Sequence, residues 1–79
     1  MVEIKKKEVT EEKISYYYLI EGKGNWGLLT YFPKKGICRV EEFAQDEDEL
    51  DNYRNHAFSI MIRFYKNNEY PDYKLIAWY

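Results

Sequence analysis

The hydrophobic residues of this chain change their spacing along the sequence, and the change restricts the fold that the chain can adopt. Up to Phe43, apolar residues alternate with polar ones in short runs separated by Gly-, Pro- or charge-rich turns, which is typical of β-strands. From residue 46 the apolar residues recur every three or four positions, which predicts an amphipathic helix. Residues 73–79 alternate again. The sequence therefore predicts an α+β fold with the element order ββββαβ.

The predicted elements are joined by short turns. The strands are expected at residues 2–9, 13–21, 26–32, 37–43 and 73–79. Successive hairpins favour an antiparallel meander sheet of four to five strands, with the one helix, in the C-terminal half, packed on one face. Asp46 is a suitable N-cap, and Glu49 completes a capping box. Asn67-Asn68 offers a left-handed helix end, and Pro71 prevents the helix from continuing.

Length and cysteine content restrict the class of protein. A chain of 79 residues predicts a single small α+β domain, residues 1–79. The one cysteine, Cys38, cannot form an internal disulfide, and we expect it to be a buried thiol. This cysteine usage favours a cytoplasmic location. The absence of a long apolar stretch argues against a signal peptide and against a membrane span. Mixed charges with a net charge of −2 argue against a dedicated polyanion binder.

Aromatic residues are the unusual part of the composition. They make up 19% of the chain, with nine Tyr, four Phe and two Trp, and a domain this short has little interior to hold them. One helix covers one sheet face, yet the strands predicted at 13–21 and 26–32 carry apolar residues on both faces. The apolar arc of the helix spans about 200°, wider than a helix on one flat surface needs. Such surplus apolar surface is typical of interaction sites.

We therefore expect a non-enzymatic protein–protein interaction domain, a homodimer or a partner of another protein, that uses an aromatic sheet face or the helix flank. The residues expected on the interaction surface are Tyr17, Leu19, Tyr31, Phe58, Ile62, Tyr65 and Trp78. One alternative is that a strongly curled sheet wraps the helix and buries most rings within the monomer. The other is a single-stranded nucleic-acid-binding module whose sheet aromatics stack on bases. The acidic pI and the lack of an RNP-like run make nucleic acid the less expected partner.

Three motifs resemble sites of known chemistry but have simpler explanations. Residues 22–27 match G-x-G-x-x-G, but a strand follows instead of a helix, so a hairpin turn is predicted. The acids of residues 46–51 lack the spacing and glycine of a calcium loop, and helix N-capping accounts for them. His56, with Ser59 three residues on, has no acid four residues away to orient it, so we expect a surface histidine. We therefore predict no catalytic residue, no metal site and no cofactor.

Overall fold

The computed structural model describes residues 1–44 and 52–77, which form one antiparallel sheet and one helix. The elements in chain order are β1 (Val2–Val9), β2 (Ile14–Ile20), β3 (Lys23–Phe32), β4 (Ile37–Glu42), α1 (Asn52–Asn67) and β5 (Tyr73–Ile76). The five strands lie in the order β4-β3-β2-β1-β5, with every neighbouring pair antiparallel. The predicted α+β class and the order ββββαβ are confirmed. The predicted capping box of Asp46 and Glu49 lies outside the described residues.

The turn between β2 and β3 differs from the prediction. Ile20 pairs with Lys23, so the hairpin loop is Glu21 and Gly22, with φ of 52° and 68°. Two central residues with positive φ are the signature of a type I′ turn, whose twist matches that of the strands it joins. Gly24, with φ of 80°, then lies in a bulge of β3. The glycine-rich segment therefore forms a turn and a bulge, and β3 begins three residues earlier than predicted.

The core lies between α1 and one face of the sheet. The helix packs on β1, β2 and β3. Its buried residues Ala57, Met61 and Phe64 follow the spacing of four and three that places side chains on one face. The sheet contributes a set of buried residues on the helix side: Val2, Ile4, Ile14, Tyr16, Tyr18, Ile20, Leu29 and Ile76. Fully buried aromatic side chains thus supply much of the core of this short chain.

The end of α1 is fixed by backbone hydrogen bonds. Asn68 has φ of 54°, the left-handed conformation expected for this Asn-Asn pair. Its N–H donates to the carbonyl of Tyr65 at 3.2 Å, and the N–H of Glu69 donates to the carbonyl of Phe64 at 3.1 Å. This pair of bonds is the Schellman motif, which satisfies carbonyls left over at the end of the helix.

The segment between α1 and β5 is fastened to β1 by Lys6. The ammonium of Lys6 lies 2.8 Å from a carboxylate oxygen of Asp72 and donates to the carbonyl of Tyr70 at 3.2 Å. The hydrogen bond from Lys6 and its positive charge lower the pKa of Asp72. The hydroxyl of buried Tyr16 donates to the carbonyl of Pro71 at 2.6 Å. These contacts position β5 beside β1, so the return of the chain depends on polar groups as well as on apolar packing.

Candidate interaction surface

The helix leaves part of the helix-side face of β4 uncovered. Cys38 pairs with Tyr31 and Val40 pairs with Leu29, which places both β4 residues on the helix side of the sheet. Val40 is half-buried, and Cys38 is exposed. The prediction that Cys38 is buried is therefore wrong, because α1 packs on β1–β3. Partial desolvation raises the pKa of the Cys38 thiol, so the thiol is not activated as a nucleophile.

One flank of α1 faces this uncovered region. Phe58, Ile62 and Tyr65 follow one another at spacings of four and three, so they share one flank of the helix. The ring of Tyr65 packs edge-on against the ring of Tyr31 in β3, with the centroids 6.1 Å apart. Phe58 and Ile62 are half-buried, and Tyr65 is 45% exposed. We call Tyr31, Val40, Phe58, Ile62 and Tyr65 the β4-side surface.

Phe43 extends the β4-side surface beyond the end of β4. It is the most exposed large apolar residue among the described positions, at 66%. The guanidinium carbon of Arg54, in the first turn of α1, lies 5.3 Å from the centroid of its ring, which is cation–π geometry. The sequence pattern predicted Phe43 only as the last residue of a strand, whereas β4 ends at Glu42. Hydrophobic periodicity predicts residues in helices and strands, so it gives no indication of the role of a residue such as Phe43 that lies after the end of a strand.

The opposite face of the sheet, which we call the outer face, is largely closed by its own side chains. Leu19 and Leu28 are 9% and 8% exposed there although α1 lies on the other side. The ammonium of Lys5 lies 4.5 Å from the centroid of the Trp26 ring and 5.8 Å from that of Tyr17. The aliphatic part of the Lys5 side chain and the rings of Tyr17 and Trp26 therefore cover the middle of the outer face and shield the two leucines from water.

Buried hydroxyls complete the middle of the outer face. Ser15 and Thr30 are cross-strand partners, and both are almost fully buried. Their hydroxyl oxygens lie 2.9 Å apart, so each satisfies the other. Towards the β5 edge, Tyr73 and Leu75 are about half exposed, and the Tyr73 hydroxyl donates to Glu3 at 2.7 Å. That hydrogen bond raises the pKa of Tyr73.

The residues predicted for the interaction surface divide between the two faces. Tyr31 and Tyr65 are in ring contact on the β4-side surface, and Phe58 and Ile62 share the helix flank of Tyr65. Tyr17 and Leu19 lie on the outer face, where Leu19 is buried. Trp78 lies outside the described residues. Tyr31 was grouped with Tyr17 from sequence because β3 is apolar on both faces, and pairing of Tyr31 with core residue Ile14 places it on the helix side.

The other flank of α1 borders a cavity beside β5. Its volume is about 540 Å³, and it is lined by Ile60, Arg63, Phe64, Asn67, Glu69, Tyr70, Pro71 and Lys74. These side chains include charges of both signs but no cysteine, serine or histidine. Within residues 1–44 and 52–77, no group of three or more His, Cys, Asp or Glu side chains is placed to hold a metal ion. The lining of the cavity combines charged and apolar side chains.

A comparison of the chain with protein-family models, with curated proteins and with solved structures gave no match. In the described part of the chain, α1 is neither long nor apolar enough to cross a membrane. Function is therefore inferred from the surface geometry.

Proposed function

We propose that this chain is a non-enzymatic protein–protein interaction domain that forms a homodimer through the β4-side surface. One observation carries the proposal: α1 packs on β1–β3, yet its flank towards β4 carries Ile62 and the 45% exposed Tyr65 beside Phe58, which packs partly against the core. If α1 buried its apolar side chains only in the core of the monomer, the residues at these flank positions would be polar. Contiguous apolar surface that the fold leaves uncovered is typical of association sites.

The outer face gives less support to the same function. Its central leucines, Leu19 and Leu28, are already buried by neighbouring side chains of the monomer. Its exposed apolar residues are separated, with Ile37 on the β4 edge and Tyr73 and Leu75 on the β5 edge. Apolar side chains that lie apart provide no contiguous area for a partner to bury. The β4-side surface, by contrast, joins residues of β3, β4 and α1.

A cytoplasmic location is part of the proposal. Cys38, the one cysteine of the chain, is exposed and close to the proposed contact surface. Oxidising compartments favour disulfide-rich small domains, whereas an exposed free thiol is compatible with a reducing one.

The alternative, a single-stranded nucleic-acid-binding module, is less supported by the geometry. Tyr16 and Tyr18 are fully buried in the core, and Tyr31 contacts the helix. The rings in the middle of the outer face are Tyr17 and Trp26, which already lie beside the Lys5 ammonium, and the hydroxyl of Tyr73 at the β5 edge is hydrogen-bonded to Glu3. Binding of oligonucleotides would weaken steeply with salt, whereas apolar association would not, so a salt titration distinguishes the two functions.

The proposal is tested by the solution mass of matched variants. Ile62→Ser removes a half-buried side chain from the β4-side surface, and Leu75→Ser removes an exposed one of similar size from the outer face. We expect Ile62→Ser to weaken self-association by about tenfold or more, and Leu75→Ser to leave it unchanged. Equal effects of the two substitutions would contradict a contact through the β4-side surface. Circular dichroism of both variants checks that the fold is retained.

A further inference from the structure

Strand β4 is an open edge of the sheet. It pairs with β3 on one side, and among the described residues no strand pairs with its other side. Its six residues include neither lysine nor proline, and its three charged residues are Arg39, Glu41 and Glu42. The opposite edge, β5, has only four residues and carries Lys74. Of the two edges, β4 therefore offers the longer row of backbone donors and acceptors.

Symmetry restricts how two copies of β4 can pair. Two identical strands that pair antiparallel in one sheet are related by a two-fold axis perpendicular to that sheet. Such an axis keeps each side chain on its own face, and residues that are neighbours in a strand point to opposite faces. A residue, and not the gap between two residues, must then lie on the axis. Arg39 and Glu41 approach each other to 3.9 Å within the chain, so their side chains share one face of β4. Val40 lies between them on the helix side.

The charges of β4 distinguish the three central registers. With Arg39 on the axis, two guanidinium groups would be opposed, and with Glu41 on the axis, two carboxylates would be opposed. With Val40 on the axis, Arg39 of each copy faces Glu41 of the other. Opposite charges directly across a ladder are favourable and like charges are unfavourable, so only the Val40 register is complementary.

The same register also places an apolar side chain opposite its own copy. With Val40 on the axis, the half-buried Val40 side chains of the two copies meet on the helix side of the sheet. We propose that the homodimer forms by antiparallel pairing of two β4 strands with Val40 on the two-fold axis, which joins two five-stranded sheets and leaves both helices on one side. This inference rests on the proposed homodimer and specifies its contact.

The bulge in β4 sets the extent of the new ladder. Leu29 of β3 pairs with Val40, and the adjacent Leu28 pairs with Glu42, so Glu41 is the additional residue of the bulge. A bulge increases the local twist and interrupts regular pairing. The ladder is therefore short and centred on Val40, with one β4-side surface on each side of the axis.

Charge reversal with rescue tests the register. Arg39→Glu alone and Glu41→Arg alone would each oppose like charges twice, and we expect each to raise the dimer dissociation constant by about tenfold or more. The double variant restores opposite charges and should return the constant to within about threefold of the wild-type value. Thermal unfolding of each variant controls for folding, since both side chains also form the intrachain pair. Additive losses in the double variant would overturn the inference.

A cysteine on the axis provides a second, independent test. In a Cys38→Ser background, Val40→Cys places the one thiol of each copy opposite its counterpart, within reach of a disulfide. We expect mild oxidation to link this variant about tenfold faster than Lys74→Cys in the same background, which lies on the β5 edge. Suppose instead that the two cysteine variants form the disulfide at equal rates, while the chain still dimerises and Ile62→Ser still dissociates the dimer. That result would overturn the register but not the proposed function. A monomeric wild-type chain would overturn both.

Discussion

The ring of Tyr18 lies over Gly27, its partner across the β2–β3 ladder, and reaches the main chain beyond β4. The Tyr18 hydroxyl accepts a hydrogen bond from the N–H of Ala44 at 3.0 Å, and both residues are buried. A side chain on Gly27 would overlap the Tyr18 ring and would come within 2.5 Å of the Ala44 nitrogen. Glycine is therefore required at this position so that an aromatic ring can cross β3, a known form of cross-strand pairing.

Gly27→Ala should destabilise the protein because its methyl group has no space. The added carbon would meet the Tyr18 ring, the Ala44 nitrogen and the Glu42 carbonyl oxygen at 2.7 Å, and two of these are backbone atoms that cannot turn aside. We expect a loss of about 2–3 kcal/mol in the free energy of unfolding, as is typical of overpacking. Urea denaturation at neutral pH measures it.

Gly36→Ala is the matched control for this substitution. Gly36 has φ of 66°, but no atom lies within 4 Å of its added carbon. The variant therefore bears only the conformational cost of a left-handed alanine, about 1 kcal/mol. If Gly27→Ala cost no more than Gly36→Ala, the close approach of Tyr18 to Gly27 would be contradicted.

The titration of Tyr16 should limit stability in alkali. Burial, followed by the charge of Asp72 and by Tyr70, raises the pKa of Tyr16 well above its ordinary value of 10.0. The folded state therefore favours the neutral phenol. The contribution of neutral Tyr16 to the free energy of unfolding is complete below pH 10. It is lost as the pH rises through 10 towards the raised pKa, at up to about 1.4 kcal/mol per pH unit.

Tyr16→Phe isolates this effect. The variant loses the hydrogen bond to the Pro71 carbonyl, so we expect it to be about 1 kcal/mol less stable than the wild type at pH 7. Above pH 10 the difference should shrink, because only the wild type loses the contribution of Tyr16. Chemical denaturation from pH 7 to 11 measures both chains, and a difference that stays constant across this range would contradict the assignment to Tyr16.

The buried hydroxyls of Ser15 and Thr30 should behave as a coupled pair. Thr30→Val leaves the Ser15 hydroxyl buried without its partner, which should cost about 1–3 kcal/mol. Replacing both, as Ser15→Ala with Thr30→Val, removes the unsatisfied group and should recover most of that loss. A double-mutant cycle in urea reads the coupling directly, and strictly additive losses would show that the hydroxyls do not depend on each other.

Tyr17→Ser distinguishes the outer face from the β4-side surface. Tyr17 lies on the outer face beside Lys5, away from the residues that join β4 and α1. We expect this variant to keep the wild-type dissociation constant of the dimer, with a loss of unfolding free energy of about 1 kcal/mol from reduced packing. Conversion of the dimer to a monomer by Tyr17→Ser would instead identify the outer face as the contact.

The period of the hydrophobic pattern is sufficient to predict the elements but not the face of each residue. Alternation in β2 predicts its inner side correctly, because Ile14, Tyr16, Tyr18 and Ile20 form one buried stripe. Strand β3 is apolar on both sides, so the register with Ile14 decides that Tyr31 faces the helix. Bulges also change the alternation, and a bulge depends on the pairing of strands.

Burial of a strand residue depends on which elements and side chains cover it in the fold, which the sequence does not specify. Cys38 was predicted to be buried from its position in a strand, but α1 packs on β1–β3 and leaves it exposed. Leu19 was predicted on an open surface, but Lys5 and Trp26 help to shield its face of the sheet. Both outcomes follow from neighbours that are distant along the chain.

The molar mass in solution tests the central claim most directly. Light scattering of the wild-type chain over about a hundredfold range of concentration, at low and high salt, measures self-association without labels or substitutions. Homodimerisation through the β4 edge predicts a mass that rises with concentration towards twice the 9.7 kDa of the chain, and salt should weaken association only modestly, because it screens the Arg39–Glu41 pairs but not the backbone ladder or the apolar contacts. A mass that stays at 9.7 kDa over the whole range would contradict the account.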